Sequence, residues 1–225
     1  MEKNISESYR HLSSLGLDRH LKIIQYSPGL EEHALIYAFQ AMQKKYDKYD
    51  YMIFDMPPTG LALRFFNHPA MTLTWLKKLM ELRKMIIEKK NIIQKIKRGD
   101  APARTDQVYS HLRALELESG ALQGLFTSKD DTRVMIVLNA DYLSVKESER
   151  IQIHFQTLHI PVFGFILNKD ENTTWDDAFL KTREVVKFPR NASPLLGIKA
   201  IENYLTIPGI SRFLDQLCVM PSADF

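Results

Sequence analysis

The sequence predicts an α/β protein in which a parallel sheet is flanked by helices and carries an inserted α-helical lobe. Short β-branched runs alternate with segments of helical periodicity on both sides of the centre, and this alternation is typical of parallel sheets. The central stretch contains no strand-like run. We therefore predict an α/β domain built from residues 1–66 and 127–225, with a helical lobe formed by residues 67–126.

Strands and helices alternate in the N-terminal part of the chain. Residues 21–26, LKIIQY, are short and β-branched, and they lead into a Ser-Pro-Gly turn. Residues 30–46 repeat apolar side chains at helical spacing. Residues 51–55, YMIFD, form a nearly continuous apolar run, which predicts a strand covered on both faces.

The same alternation returns after the predicted lobe. Residues 133–139, RVMIVLN, and residues 161–170, PVFGFILNKD, predict two further strands. Residues 144–159, SVKESERIQIHFQTLH, predict a helix between them. A helix between two strands is the usual crossover of a parallel sheet, so we expect these strands to run in the same direction.

The predicted lobe contains a long basic amphipathic helix over residues 74–100. Lys and Arg occupy one side, and the other side carries Trp75, Leu79, Leu82, Ile86, Ile93 and Ile96. Gly99, Asp100 and Pro102 should end this helix, and a second helix should follow over residues 106–125.

This apolar stripe has two interpretations. It packs on the body of the protein, as most amphipathic helices do, or it binds an apolar partner helix or a membrane surface. In the second case the predicted partner-binding residues are Met80, Leu82, Met85 and Ile86, because flexible apolar side chains suit an adaptable surface.

Composition excludes several classes of function. The 225 residues are 45% hydrophobic and 25% charged with a net charge of +3, which is ordinary for a globular protein. The single cysteine, Cys218, cannot form an intrachain disulfide, a cysteine-based zinc site or a three-thiolate metalloid site. No apolar run is long enough to span a bilayer, and aromatic residues do not alternate with the basic ones. We expect a cytoplasmic protein, peripheral to the membrane at most, that does not bind nucleic acid.

Polar residues that follow the predicted strands mark a candidate site. Ligands of parallel α/β sheets bind beyond the carboxyl ends of the strands, which would bring Asp55, Thr59, Gly60 and Asn168 to one edge. A carboxylate such as Asp55 can hold a Mg²⁺-bound water, and a glycine lets a backbone N–H approach an anion closely. The alternative is that Asp55 ends a strand and caps the next helix.

Four ordered segments resemble the motifs of one family. They are SPGLEEHAL, FDMPPTGLALRF, the stretch from ADYLSVKESER to FILNKD, and SPLLGIKAI. Together they resemble the arsenical pump-driving and tail-anchored-protein-targeting ATPases, a branch of the deviant-Walker P-loop NTPases. The matching residues are Pro28, Gly29, Glu32, Asp55, Pro58, Thr59, Gly60, Leu63, Arg64, Glu147, Ser148, Arg150, Asn168, Pro194 and Leu195.

The resemblance implies a P-loop NTPase-like domain that binds Mg–ATP, is usually dimeric, and moves a helical client or effector lobe. FDMPPTGLALRF resembles the family's switch segment, and the implied catalytic residues in it are Asp55, Thr59 and Gly60, called the switch residues below. Asp55 would serve Mg²⁺ through a water molecule. The implied nucleotide-binding residues are Asn168, Lys169, Pro194 and Leu195, of which Asn168 would contact the adenine.

The sequence departs from the family at its phosphate-binding loop. The motif GKGGVGKT does not occur in it, and Leu61 stands where the family has histidine. Because phosphoryl transfer depends on positioning and charge stabilisation, we expect ATP binding rather than efficient hydrolysis by this chain alone. The chain is then either a fragment of such an ATPase or a shortened relative. In both cases we expect a second copy, or a partner chain bearing a P-loop, to complete the sheet.

Two functional hypotheses follow from these patterns. The first is an arsenical pump-driving ATPase-like protein in which ATP binding is coupled to the helical lobe. The alternative is a non-catalytic interaction protein that binds an apolar helix or a membrane surface through that lobe.

Overall fold

The computed structural model describes residues 29–98, 106–171 and 178–218. The chain divides into two compact units, Met1–Gly124 and Leu125–Phe225, which are called the first and second unit below. The strand predicted at residues 21–26 lies outside the described residues. The division into an α/β domain and a helical lobe at residues 67–126 remains a prediction.

The first unit begins with helix α1, Leu30–Lys45. The sequence predicts this helix almost to the residue, because acidic side chains occupy its first turn and lysines its last, which complements the helix dipole. Ile36 is buried, and Phe39 packs on Phe65 of the next helix with ring centroids 5.5 Å apart.

The strand predicted at residues 51–55 is wrong. Residues 51–58 are irregular and join no sheet within the described part of the chain. Phe54 packs on Phe39 at 4.7 Å between ring centroids, whereas the Ile53 side chain is 96% exposed. A strand needs a neighbour to satisfy its backbone N–H and C=O groups, and an apolar run cannot by itself specify that neighbour.

Helix α2, Thr59–Arg98, is one continuous helix that starts earlier than the sequence predicts. Its buried face recurs every three or four residues and comprises Phe65, His68, Pro69, Thr72, Leu76 and Met80. Pro69 lies inside the helix with its ring fully buried, and packing of this face offsets the backbone hydrogen bond that proline removes. The stripe predicted from the sequence lies beside this face, and Trp75, Leu79, Leu82 and Ile86 are only half-buried.

Helix α3, Gln107–Thr127, returns along α2 in the opposite direction. Its start is fixed by Asp106, which accepts two hydrogen bonds from the Arg83 guanidinium at 3.0 and 2.7 Å and one from the Tyr109 N–H at 2.9 Å. These bonds hold the pKa of Asp106 at about 2. Further along α3, Glu118 accepts a hydrogen bond from Gln40 of α1. Since α1 packs on the N-terminal part of α2, α3 runs from Arg83 back towards the N-terminal part of α2.

The second unit contains a three-stranded parallel sheet in the order β1-β2-β3, which confirms the predicted fold class. Its strands are β1 Val134–Asn139, β2 Val162–Asp170 and β3 Val185–Pro189. The sequence analysis predicts β1 and β2 but misses β3, which is short and ends at a proline. The sheet buries Ile136, Leu138, Phe165 and Leu167, against which the helices of this unit supply Val145, Phe155, Ile210 and Phe213.

Four helices connect or follow these strands: α4 Tyr142–Thr157, α5 Ala178–Lys181, α6 Ile198–Leu205 and α7 Pro208–Cys218. Asp141 caps α4 by accepting a hydrogen bond from the Ser144 N–H at 2.8 Å, and this bond and one from the Ser144 hydroxyl lower its pKa. The last three helices are missed by the sequence analysis. Among the described residues, no helix combines the length and apolar content needed to cross a bilayer.

The packing of α2 predicts where the first unit is sensitive to mutation. Leu76→Ala removes a fully buried side chain and should lower the free energy of unfolding by about 2–5 kcal/mol. Urea denaturation followed by helical circular dichroism measures this change. Leu117→Ala, at an exposed position of α3, is the matched control and should change the stability by less than about 0.5 kcal/mol. Equal effects of the two substitutions would contradict the burial pattern.

His68 predicts how stability depends on pH. Burial and, to a smaller extent, nearby His33 lower the pKa of His68 from 6.5 to about 4, and Glu32 opposes them. The ring also faces the Thr72 hydroxyl, 3.4 Å from Nδ1. Since the unfolded chain binds the proton more readily, stability is complete above pH 6.5 and is lost as the pH falls towards 4.

We expect His68 to remove about 2 kcal/mol of stability between pH 7 and pH 5. Denaturation curves at the two pH values should therefore differ less in His68→Leu than in the wild type. His111→Gln, at an exposed histidine, should retain the wild-type difference. A His68→Leu variant with the full wild-type pH dependence would assign the loss to other groups.

Candidate functional site

The predicted switch residues lie at the start of α2 in the first unit. Asp55 is exposed in the irregular segment before the helix, and Thr59 and Gly60 are the first two residues of the helix itself. The N–H groups of Leu61 and Ala62 are bonded to the Pro58 carbonyl at 2.9 and 3.2 Å. The first turn contains no acidic residue, so the partial positive charge of the helix N-terminus is not neutralised locally.

The space around Gly60 is open. A Cβ atom built on this glycine would meet no heavy atom of the described residues within 4 Å, so their packing does not require glycine here. The same openness leaves the N-terminal turn of α2 accessible to a ligand, and helix N-termini bind anions through their N–H groups.

Arg64 connects two of the motifs found in the sequence. Its guanidinium lies 3.3 Å from carboxylate oxygens of both Glu31 and Glu32, which form the first turn of α1. The Arg64 and Glu31 side chains are well exposed, so this contact contributes less than about 1 kcal/mol. It joins the first turn of α1 to the N-terminal part of α2. The sequence predicts Arg64 and Glu32 as motif residues but does not predict that they pair.

The predicted nucleotide-binding residues lie in the second unit, at or after the carboxyl ends of the strands. Asn168 of β2 is paired in register with Asn139 of β1 and with Phe188 of β3. Paired residues of neighbouring parallel strands point to the same face, so the two asparagine side chains are neighbours. Asn139 is not among the residues predicted from the sequence. In both strands an asparagine directly follows a buried leucine, and this shared pattern could have identified it.

A bulge directly after Asn168 shapes this edge. Lys169 has a left-handed backbone with φ of 54°, and the register with β3 shifts between Asn168 and Asp170. The bulge turns Asp170 inwards, where its carboxylate is buried and lies 3.4 Å from the Lys187 ammonium. The Asp170 carbonyl also accepts the Arg190 N–H at 3.0 Å. A left-handed non-glycine residue is uncommon, and these contacts hold it in place.

Pro194 and Leu195 lie in the loop that follows β3, which is adjacent to the strand carrying Asn168. Pro194 is exposed and Leu195 is half-buried. The loop is tied to the sheet by the Tyr204 hydroxyl, which donates to the Pro189 carbonyl at 2.6 Å, and burial raises the pKa of this tyrosine. Gly197, with φ of 81°, lets the loop turn into α6.

The structure thus brings the predicted residues together in two groups. Asp55, Thr59 and Gly60 belong to the first unit, and Asn168, Lys169, Pro194 and Leu195 belong to the second. The expectation that both groups share one edge of a sheet remains a prediction, and the strand expected to deliver Asp55 is not formed. A further motif pair, Glu147 and Arg150, forms an ion pair of 2.8 Å on α4 beside the buried Ser148.

The chemistry of both groups suits a nucleotide and its metal ion. The Asn168 carboxamide can donate to and accept from the edge of a base, and Pro194 and Leu195 offer apolar surface for its face. Mg²⁺ commonly takes one or two carboxylates and fills its shell with water and phosphate, so Asp55 is a suitable ligand. Within the described ranges no three His, Cys, Asp or Glu residues form a metal cluster, and Asp55 would therefore share the ion with water and phosphate.

The predicted partner-binding residues differ in burial. Met80 is 7% exposed and belongs to the core face of α2, whereas Leu82, Met85 and Ile86 are half-buried on the neighbouring face. Leu82, Met85 and Ile86 can therefore contact a partner at the surface, whereas Met80 packs in the core.

Comparison with known proteins identifies relatives of this chain. The family model described as anion-transporting ATPase matches residues 1–189. An Aquifex aeolicus protein that is named, provisionally, arsenical pump-driving ATPase 1 is 28% identical over 149 residues, or 63% of this chain and 35% of that protein. ATPase GET3 of Ajellomyces dermatitidis and that of Paracoccidioides brasiliensis are each 29% identical over 161 residues, or 70% of this chain and 47% of theirs.

The chain therefore spans between about a third and a half of the length of these curated relatives. The family match, by contrast, extends over most of the chain and includes the switch segment, Asn168 and the sheet that carries it. Because the match is this extensive, the chain belongs to the anion-transporting ATPase family.

Proposed function

We propose that this chain binds Mg–ATP and couples its presence to the helical hairpin of α2 and α3. The observation that carries the proposal is that Asn168 lies near the carboxyl end of β2 and that the Pro194–Leu195 loop follows β3, the adjacent strand of the parallel sheet. In such sheets ligands bind beyond the carboxyl ends of the strands. Membership of an ATPase family makes a nucleotide the expected ligand at this edge.

Asn168 supplies the specificity for the base in this proposal. Its carboxamide reads the hydrogen-bonding edge of adenine, and Leu195 and Pro194 cover the ring. The bulge at Lys169 keeps the backbone next to Asn168 in a single conformation, because Asp170 is held by both Lys187 and Arg190. A preorganised amide loses little entropy when the base binds.

The start of α2 supplies the response to phosphate. Thr59 and Gly60 present the positive end of a 40-residue helix, and Asp55 lies exposed a few residues before them to serve Mg²⁺ through water. Because α2 is continuous, any shift of its first turn moves the distal half of the same helix. Anion binding at Thr59 is thereby transmitted to Leu82 and Ile86 without a separate hinge.

Hydrolysis needs a phosphate-binding loop that this sequence does not contain. We propose that a P-loop-bearing partner chain joins the nucleotide and supplies this loop. A second copy of this chain would bring no such loop and could at most complete the sheet. The ATPase names of the relatives support a nucleotide as ligand, and the name arsenical pump-driving ATPase connects one relative to a pump. With one cysteine, arsenite is not the proposed ligand of this chain.

A second candidate function is capture of an apolar helix by the hairpin. Leu82, Met85 and Ile86 form a half-buried apolar strip beside the core face of α2. Such a strip at helical spacing matches the anchors by which amphipathic or apolar helices dock. This function requires no nucleotide and would persist if ATP binding failed.

Calorimetric titration of Mg–ATP into the 225-residue chain tests the first proposal. We expect saturable binding, weaker by about tenfold in Asn168→Ala because a hydrogen bond to the base is lost. Asn91→Ala, at an exposed position on α2, is the matched control and should bind as the wild type does. No heat of binding up to millimolar nucleotide, or equal affinities for all three proteins, would exclude the proposed base site.

The double substitution Leu82→Asp and Ile86→Asp tests the second candidate. If the strip is a binding face, the urea midpoint should fall little, whereas crosslinking to a synthetic leucine-rich helical peptide should be lost. Leu117→Asp, on the exposed face of α3, is the control and should retain crosslinking. A loss of several kcal/mol of stability in the double variant would instead assign the strip to the core.

A further inference from the structure

The distal part of α2 extends past the start of its partner helix. The Arg83–Asp106 ion pair of 2.7 Å places the first turn of α3 beside Arg83, and Lys84 lies over the Tyr109 ring at 5.7 Å from its centroid. From there α3 runs back towards α1. Residues 84–98 of α2, called the arm below, therefore continue for about 22 Å beyond that turn, at about 1.5 Å per residue.

The arm exposes large apolar side chains. Ile92, Ile93 and Ile96 are 58%, 53% and 80% exposed, and their spacing puts them on one side of the helix. Single exposed apolar residues are common on proteins, but three isoleucines on adjacent turns form a contiguous apolar strip.

The arm is also strongly basic. Residues 84–98 contain six Lys or Arg residues and a single acidic one, Glu88. Lys84, Lys89, Lys90 and Lys95 are all exposed, and Lys89 shares the helix side of the isoleucines because it precedes Ile92, Ile93 and Ile96 at helical spacing. The isoleucine strip is therefore surrounded by positive charge.

We propose that the arm docks on the surface of an anionic lipid bilayer. Isoleucines would enter the boundary between headgroups and acyl chains, and the lysines would pair with acidic headgroups, the arrangement by which interfacial helices bind. Each lysine that lies near the surface of an anionic membrane adds to the binding free energy. The helix lies along the membrane and does not cross it, in keeping with its many charges.

Charge complementarity favours an anionic lipid surface over an apolar partner helix. An apolar helix would pair with the isoleucines but would gain nothing from the basic residues beside them. The proposal extends the second candidate function, in which the hairpin is a binding surface, and rests on that idea. The two proposals can fail independently, because vesicle binding tests the arm and peptide crosslinking tests Leu82 and Ile86.

Vesicle flotation with the full chain tests the proposal. Vesicles of phosphatidylcholine alone are compared with vesicles containing about one-third phosphatidylserine, at low and at physiological salt. We expect binding to the anionic vesicles only, and weaker binding at the higher salt because screening acts on exposed charges. No flotation with anionic vesicles at low salt would overturn the proposal.

Two triple variants separate the contributions of charge and apolar surface. The charge variant Lys89→Gln, Lys90→Gln, Lys95→Gln should bind on the order of 100-fold more weakly. The apolar variant replaces Ile92, Ile93 and Ile96 by Ser and should bind at least about tenfold more weakly. Both sets of side chains are exposed, so circular dichroism spectra should stay unchanged.

Matched controls carry the same changes elsewhere. Leu143, Ile153 and Ile198 are 78%, 55% and 77% exposed, and their joint replacement by Ser should leave vesicle binding intact. The same is expected when Lys44, Lys45 and Lys48, exposed at the end of α1 and in the turn after it, are replaced by Gln.

Four results would overturn the proposal at this stage. Binding that survives both arm variants would place the lipid contact elsewhere, and equal losses in the arm variants and their controls would make it nonspecific. Binding that is insensitive to salt and to the lysines would remove the role of acidic lipid. Wild-type protein that ignores vesicles but captures a glutamate-rich amphipathic peptide through Ile93 would assign the arm to a protein partner.

Discussion

The continuity of α2 is the constraint on which the first unit depends. Helix α2 runs from Thr59 to Arg98 as a single helix, although the buried Pro69 inside it cannot donate a backbone hydrogen bond. Packing of Phe65 and Leu76 supplies the stability that a helix of this length, with a proline inside it, does not obtain from its backbone alone. Thr59 and Gly60, the core face and the exposed arm are therefore successive parts of one rigid element.

The second unit depends on a different constraint, the parallel register of three strands. Register places Asn139, Asn168 and Phe188 side by side, and a slip of one residue would turn every side chain of a strand to the other face. The bulge at Lys169 then ends the regular pairing. The buried Asp170 carboxylate lies beside the Lys187 ammonium and fixes the direction in which the chain leaves the sheet. The candidate base site thereby has a defined shape.

Burial divides α2 into faces with different roles. The sequence pattern alone cannot say which of two adjacent apolar faces meets the core, because both recur at helical spacing. The structure assigns Leu76 and Met80 to the core, leaves Leu82 and Ile86 half-buried, and exposes Ile96. A basic apolar arm beyond the Arg83–Asp106 ion pair is consistent with a surface that binds something outside the chain.

The sequence by itself determined the fold class, helix α1, strands β1 and β2 and the family motifs, because these depend on local periodicity and on residue types at fixed spacing. It could not determine the state of residues 51–55, since a strand exists only when a neighbour pairs with it. It also missed β3 and the pairing of Asn139 with Asn168, which depend on contacts between segments distant in sequence. Tertiary structure decided these features, because burial and register are properties of packed elements and not of the residues within one of them.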